Sequence, residues 1–245
     1  MISVKDIGAI IVKFKNTIIY LLLYVLVVSS ISFPFTGNII LRMRDDLLVG
    51  QYILIQTQPL ELMMLQLKMS IIIGIIAALP VLFYLAYKQV KERKLGHRLK
   101  ISKLKLALWL ISALALFTVG CAYSYYLMLP FVFQYLLQSA VDVGVANHWK
   151  VTEFINFAIM TTFVFGLVFE LPLVMTILAR SGIVPVEIFK RYRRHMYIVI
   201  LIVAALVTSP DVITQIMVGV PLIIFYELSL FLLRFTVKPS RANVA

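Results

Sequence analysis

Glu170 stands alone as a charged residue in an otherwise uncharged, mostly apolar run from Ile155 to Leu178. A run of that length matches a bilayer-spanning helix, which needs about 20 residues. An ionisable group inside such a helix costs at least ~2.5–3.5 kcal/mol on insertion scales, so it is expected to have a use. Two uses fit a lone carboxylate: relaying a proton, or pairing with a polar group on another helix. Pro172, two residues on, removes a backbone donor and disfavours the helical conformation at Leu171, so a break beside the acid is expected. Two other polar features interrupt apolar sequence: the turn from Thr208 to Gln215, and Pro221 with Tyr226 and Glu227.

The absences narrow the chemistry. There is no G-x-x-x-x-G-K-[ST] loop to hold nucleotide phosphates, so energy must come from partners or the membrane gradient. There is no H-E-x-x-H, and His97, His148 and His195 are too scattered for a metal site. No nucleophile and base can be assembled into a hydrolase. Neither catalysis nor a cofactor is expected. The single cysteine, Cys121, lies in an apolar run and reads as a small packing residue.

These residues must be positioned by membrane helices. The 245-residue chain is 62% hydrophobic and 14% charged, with mean hydropathy +1.00. A soluble domain has roughly 45–50% apolar and 25% charged residues. The formal charge of +12 sits in short segments between apolar runs, which argues against nucleic acid and for membrane orientation. Apolar runs predict six spans, at about 17–33, 69–87, 106–129, 155–179, 196–208 and 212–235, within one membrane domain covering 1–245.

The segment before the first span, with Lys13 and Lys15, is expected to lie along the interface. No small-residue cleavage site follows, so the first run is expected to remain as a helix. Pro34 and Gly37 are expected to end it, residues 36–68 to form an outer cap, and Pro130 to interrupt the third span. The fifth run, Met196 to Val207, is short for a hydrocarbon core of ~30 Å. With this topology, nineteen of the 23 Lys and Arg residues fall on one side, which predicts both termini in the cytoplasm.

The segments F-G-L-V-F-E-L-P-L (Phe165–Leu173), R-Y-R-R (Arg191–Arg194) and T-S-P-D-V-I-T-Q-I-M-V-G-V-P-L-I-I-F-Y-E (Thr208–Glu227) resemble the signature of the TatC family. That family is the polytopic core of the twin-arginine protein translocase. The cap stretch T-Q-P-L-E-L, followed by K-M-S, is similar too, with Thr57, Pro59, Glu61, Lys68 and Ser70 in the family's places.

The resemblance implies a concave bundle with short fifth and sixth helices. It also implies export of folded proteins bearing twin-arginine signal peptides, energised by the proton-motive force. Partners would be TatA- and TatB-like single-span proteins, the lipid bilayer and further copies of the chain in a larger complex. Glu170 and Pro172 would form the intramembrane partner contact, Asp211, Gln215, Pro221 and Glu227 the outer turn and docking region, and Pro59 and Glu61 part of the cap.

The family's N-terminal H-L-x-E-L-R-x-R is replaced here by Gly8–Lys15, which keeps only positive charges. The signal-peptide contacts implied are then Glu92 and Arg93, with Lys13 and Lys15. A carboxylate suits an arginine because the two pair in a bidentate fork. The rival reading from the residues alone is a proton- or ion-coupled transporter of small molecules with Glu170 as its relay.

Overall fold

Within hydrocarbon, backbone polar groups must be satisfied internally, so apolar runs cross as helices or closed barrels. This chain takes the helical solution. The computed structural model describes residues 4–47, 53–56, 58, 60–92, 103–142, 144, 148–180, 184–208 and 211–236.

The elements are α1 (Val4–Leu47), β1 (Ile53–Ile55), α2 (Glu61–Glu92), α3 (Lys103–Tyr123), a π-helical turn (Ser124–Met128), α4 (Leu129–Asp142) and β2 (His148–Lys150). They continue with α5 (Val151–Phe169), α6 (Leu171–Arg180), α7 (Val186–Arg191), α8 (Arg193–Val207) and α9 (Val212–Thr236). Five stretches among the described residues are long and apolar enough to span a membrane: Ile18–Leu47, Glu61–Leu82, Ala107–Asp142, Val151–Arg180 and Val212–Leu233. The protein is an all-α integral membrane protein apart from one small ribbon, β1 paired in parallel with β2, Ile53 opposite His148.

Helix α5 is the hub. It packs on α3, and also touches α1, α2, α8 and α9, while α1 lies along α2 and α9 lies against α6 and α8. Its approach to α3 depends on two glycines. A Cβ on Gly120 would sit 2.8 Å from the Phe165 carbonyl oxygen, and one on Gly166 would sit 2.6 Å from the Phe117 ring. Small residues at such crossings let membrane helices come close without a hydrophobic drive between them. Near the ribbon, Phe133 of α4 stacks on Phe154 of α5 with centroids 4.3 Å apart, and Trp149 packs beside both rings.

Prolines behave differently from the sequence expectation. Helix α1 does not end at Pro34 or Gly37 but continues to Leu47. Hydroxyls flank the proline: Ser32 Oγ donates to the Ser29 carbonyl and Thr36 Oγ1 to the Phe33 carbonyl. Side chains of this kind let a membrane helix tolerate proline. The supposed cap of 36–68 is correspondingly smaller, because residues 36–47 belong to α1 and 61–68 to α2.

Pro130 does not end the third span either. The π-helical turn immediately before it shifts the hydrogen-bond ladder by a residue, and α4 carries the helix on to Asp142. The fifth helix is short, 15 residues in α8 or about 22 Å. The sixth is not: α9 runs unbroken through Pro221 and Glu227 for 25 residues, about 37 Å.

Candidate functional site

Glu170 sits where α5 stops and α6 begins. Its N–H reaches back to the carbonyls of Leu167 and Val168, and its own carbonyl accepts the Val174 N–H at 3.0 Å. Pro172 is the second residue of α6, where a missing N–H costs nothing because the first turn has no intrahelical acceptor. The Thr176 hydroxyl donates to the Pro172 carbonyl at 2.7 Å. The acid and proline thus build the predicted break.

Glu170 is buried, 4% exposed, and among the described residues its Oε2 has no hydrogen-bond partner. Leaving such a group unsatisfied costs ~1–3 kcal/mol, more when charged. The adjoining surface is aromatic. Phe169 packs on Phe225 of α9 at 4.1 Å between centroids, and Tyr123 of α3 closes edge-on against Phe225 at 5.2 Å. Glu170 thus follows directly in the chain on a residue of a tight three-helix packing joint.

The α8–α9 hairpin holds most of the remaining candidates, and it satisfies its polar groups. Asp211 caps α9: its Oδ2 accepts the Thr214 N–H at 3.0 Å and its carbonyl accepts the Gln215 N–H at 3.1 Å. The Thr214 N–H, bonded to the carboxylate, holds the Asp211 carboxyl below its ordinary pKa. Gln215 donates through Nε2 to the Leu201 carbonyl at 3.1 Å, tying α9 to α8. The Tyr197 hydroxyl donates to Glu227, and the Tyr226 hydroxyl to the Phe189 carbonyl of α7 at 3.1 Å. Pro221 lies within α9 without ending it.

A cleft of 490 Å³ brings the hairpin turn to the ribbon, joining Asp211 and Thr214 to Ile55, Trp149, Lys150 and Glu153. Lys150 and Glu153, three residues apart on its lining, pair at 3.3 Å. Glu61 opens α2, where an acid faces the positive end of the helix dipole. Lys13 and Lys15 lie on α1 and Glu92 is the last residue of α2, whereas Arg93 and Pro59 lie outside the described residues. The structure thus gathers Asp211, Gln215 and the ribbon at one end and leaves Glu170 separate, within the span.

Tyr197 was not singled out from the sequence. It lies thirty residues before its acceptor Glu227, and only the hairpin fold brings the two together.

Residues 9–221 match the family described as Sec-independent protein translocase protein (TatC). The Sec-independent protein translocase protein TatCt of Haloferax volcanii is 33% identical over 232 residues, covering 95% of this chain and 31% of that one. TatC of Desulforapulum autotrophicum is 39% identical over 164 residues, covering 67% of this chain and 59% of its own. The chain thus spans less than two thirds of either relative. A crystal structure of a twin-arginine translocase receptor, TatC, superposes with a TM-score of 0.80 at 24% identity, covering 93% of this chain and 99% of that one. This likeness establishes a shared fold.

Proposed function

The chain belongs to the TatC family of the Sec-independent protein translocase, and we propose that it is the receptor and scaffold of such a translocase in the cell membrane. In this reading it binds twin-arginine signal peptides and assembles single-span TatA- and TatB-like partners with further copies of itself. Folded proteins then cross, driven by the proton-motive force. The scaffold works by binding, with no catalytic step of its own.

The observation that carries this is Glu170: a buried acid with an oxygen unpartnered among the described residues, at a helix break among apolar residues. A polar group on an incoming partner helix would supply the missing hydrogen bond. Interhelical polar contacts in membranes are worth ~0.6–2 kcal/mol, enough to direct assembly without locking it. The short α8 supports a second element of the reading. A helix of about 22 Å cannot match ~30 Å of hydrocarbon without thinning the bilayer around it, which lowers the barrier to passage where the partners gather.

Six crossings with both termini in the cytoplasm fit the charge distribution, because α7 and the start of α8 carry Lys190, Arg191, Arg193 and Arg194. Signal-peptide contact falls in this reading to Glu92 and Arg93, with Lys13 and Lys15. Asp211, Gln215, Pro221 and Glu227 shape the hairpin that partners meet, and Pro59 and Glu61 border the cap.

The test is complementation of a cell lacking its own TatC, with a folded fluorescent passenger behind a twin-arginine signal. Wild-type chain is expected to export it, and Glu92→Gln with Lys13 and Lys15 both changed to Gln to bind the signal peptide less. Export by the isolated chain of a small ion in liposomes, with no dependence on a twin-arginine signal in cells, would favour the transporter instead.

A further inference from the structure

At the end of the bundle opposite the ribbon, a cavity of 530 Å³ opens between α7, α8 and α9. Lys190 and Arg191 of α7 and Arg193 of α8 line it, facing Glu187 and Glu227. Cations outnumber acids three to two, and Arg194 follows directly on α8. Among the described residues, no ion pair joins any of these cations to an acid. Glu227 is already occupied as the acceptor of the Tyr197 hydroxyl. Among the described residues, the three basic heads thus surround a hollow without an acid paired to any of them.

The rest of the lining is apolar. Leu230 is buried at 5% exposure, and Phe231 beside it is 52% exposed, facing outward from α9. A hollow with cationic walls and an apolar lip, on a membrane-spanning helix, suits a molecule with an anionic head and hydrocarbon tails. Basic pockets between membrane helices hold lipid head groups in this way. The short α8 contributes as well, since bilayer thinning around it draws head groups inward toward this depth.

We infer that the cavity bounded by Lys190, Arg191 and Arg193 is a binding site for the phosphodiester head group of an anionic phospholipid. The arginines grip the phosphate oxygens through paired N–H donors, and Lys190 adds a point charge. The acyl chains lie over Leu230 and Phe231. The bound lipid would brace α7 against α9, at the joint where the Tyr226 hydroxyl meets the Phe189 carbonyl. Which leaflet supplies the lipid rests on the orientation proposed above; the site itself does not.

The experiment uses the purified full chain in detergent, without partners or signal peptide, so its outcome is independent of the translocase reading. Phosphatidylglycerol and phosphatidylcholine are compared by native mass spectrometry and by thermal shift. Wild type is expected to retain phosphatidylglycerol selectively and to be stabilised by it. Each of Lys190→Gln, Arg191→Gln and Arg193→Gln should weaken that retention roughly fivefold, and the triple variant about a hundredfold. Lys150→Gln, at the ribbon end, should change nothing.

If the triple variant aggregates, the three single variants decide the matter. Equal retention of both lipids, or wild-type retention by every single variant, would overturn the site. Displacement of the lipid by millimolar inorganic phosphate would reassign it to a free anion. Capture of an acidic peptide with no lipid retained would reassign it to a protein partner.

Discussion

The α5–α6 break and the α8–α9 hairpin both place polar groups in apolar surroundings, yet they treat them oppositely. In the hairpin, Asp211 caps a helix, Gln215 reaches the Leu201 carbonyl, Tyr197 meets Glu227 and Tyr226 meets Phe189. At the break, Glu170 Oε2 is buried and has no hydrogen-bond partner among the described residues. The hairpin's polar groups are accounted for by the fold of this one chain. The acid at the break keeps one oxygen unpaired among the described residues, which supports the partner contact proposed for it.

The strongest way to break this contrast is Glu170→Leu. Export should fall about tenfold or more, as expected when a contact worth ~1–2 kcal/mol is removed from assembly. The purified protein should be no less thermally stable, because the substitution removes an unsatisfied buried group. A large drop in Tm with crosslinking to partner helices intact would place Glu170 with the hairpin residues.

Gly120→Ala sharpens the comparison by disturbing packing alone. Its Cβ would meet the Phe165 carbonyl at 2.8 Å, and a backbone atom cannot swing aside. Overpacking of this kind costs ~1–3 kcal/mol, so Tm should fall while Glu170 keeps its chemistry. Wild-type stability would mean that α3 and α5 slide apart freely.

Gln215→Leu should cost ~0.6–1.7 kcal/mol, read as loss of stability, with signal-peptide binding retained. Loss of binding at unchanged stability would move Gln215 from scaffold to contact surface.

The smallest effect belongs to Asp211. Its carboxyl titrates below the ordinary value because the Thr214 N–H stabilises the charged form. The cap's contribution is therefore complete above the pKa of the unfolded chain and lost as pH falls through the lower folded value. Asp211→Asn should flatten that acid-side slope in a Tm-versus-pH series. An unchanged slope would show that the cap does not depend on charge.

The break at Glu170 was legible in the sequence because one acid and one proline stand two residues apart in apolar surroundings, where either is costly. The helix extents were less legible. Pro34 and Pro130 read as terminators by the rules of helices in water, but flanking hydroxyls and a π-helical turn carry α1 and α4 past them. Gln215 was visible as a polar residue, whereas its acceptor is a backbone carbonyl with no sequence signature. The ribbon was invisible for a plainer reason: two three-residue strands leave no alternating pattern to read.

That ribbon also sets an order of events during synthesis. Ile53 waits for His148, about 95 residues further along the chain. At ~5–20 residues per second of translation, β1 has no strand partner for roughly 5–20 s, while α2, α3 and α4 are made. The ribbon is thus a clasp that forms only once α1 to α4 have been made and before the hub helix α5 follows, and a chain stalled before β2 would leave the β1 edge open to any passing strand.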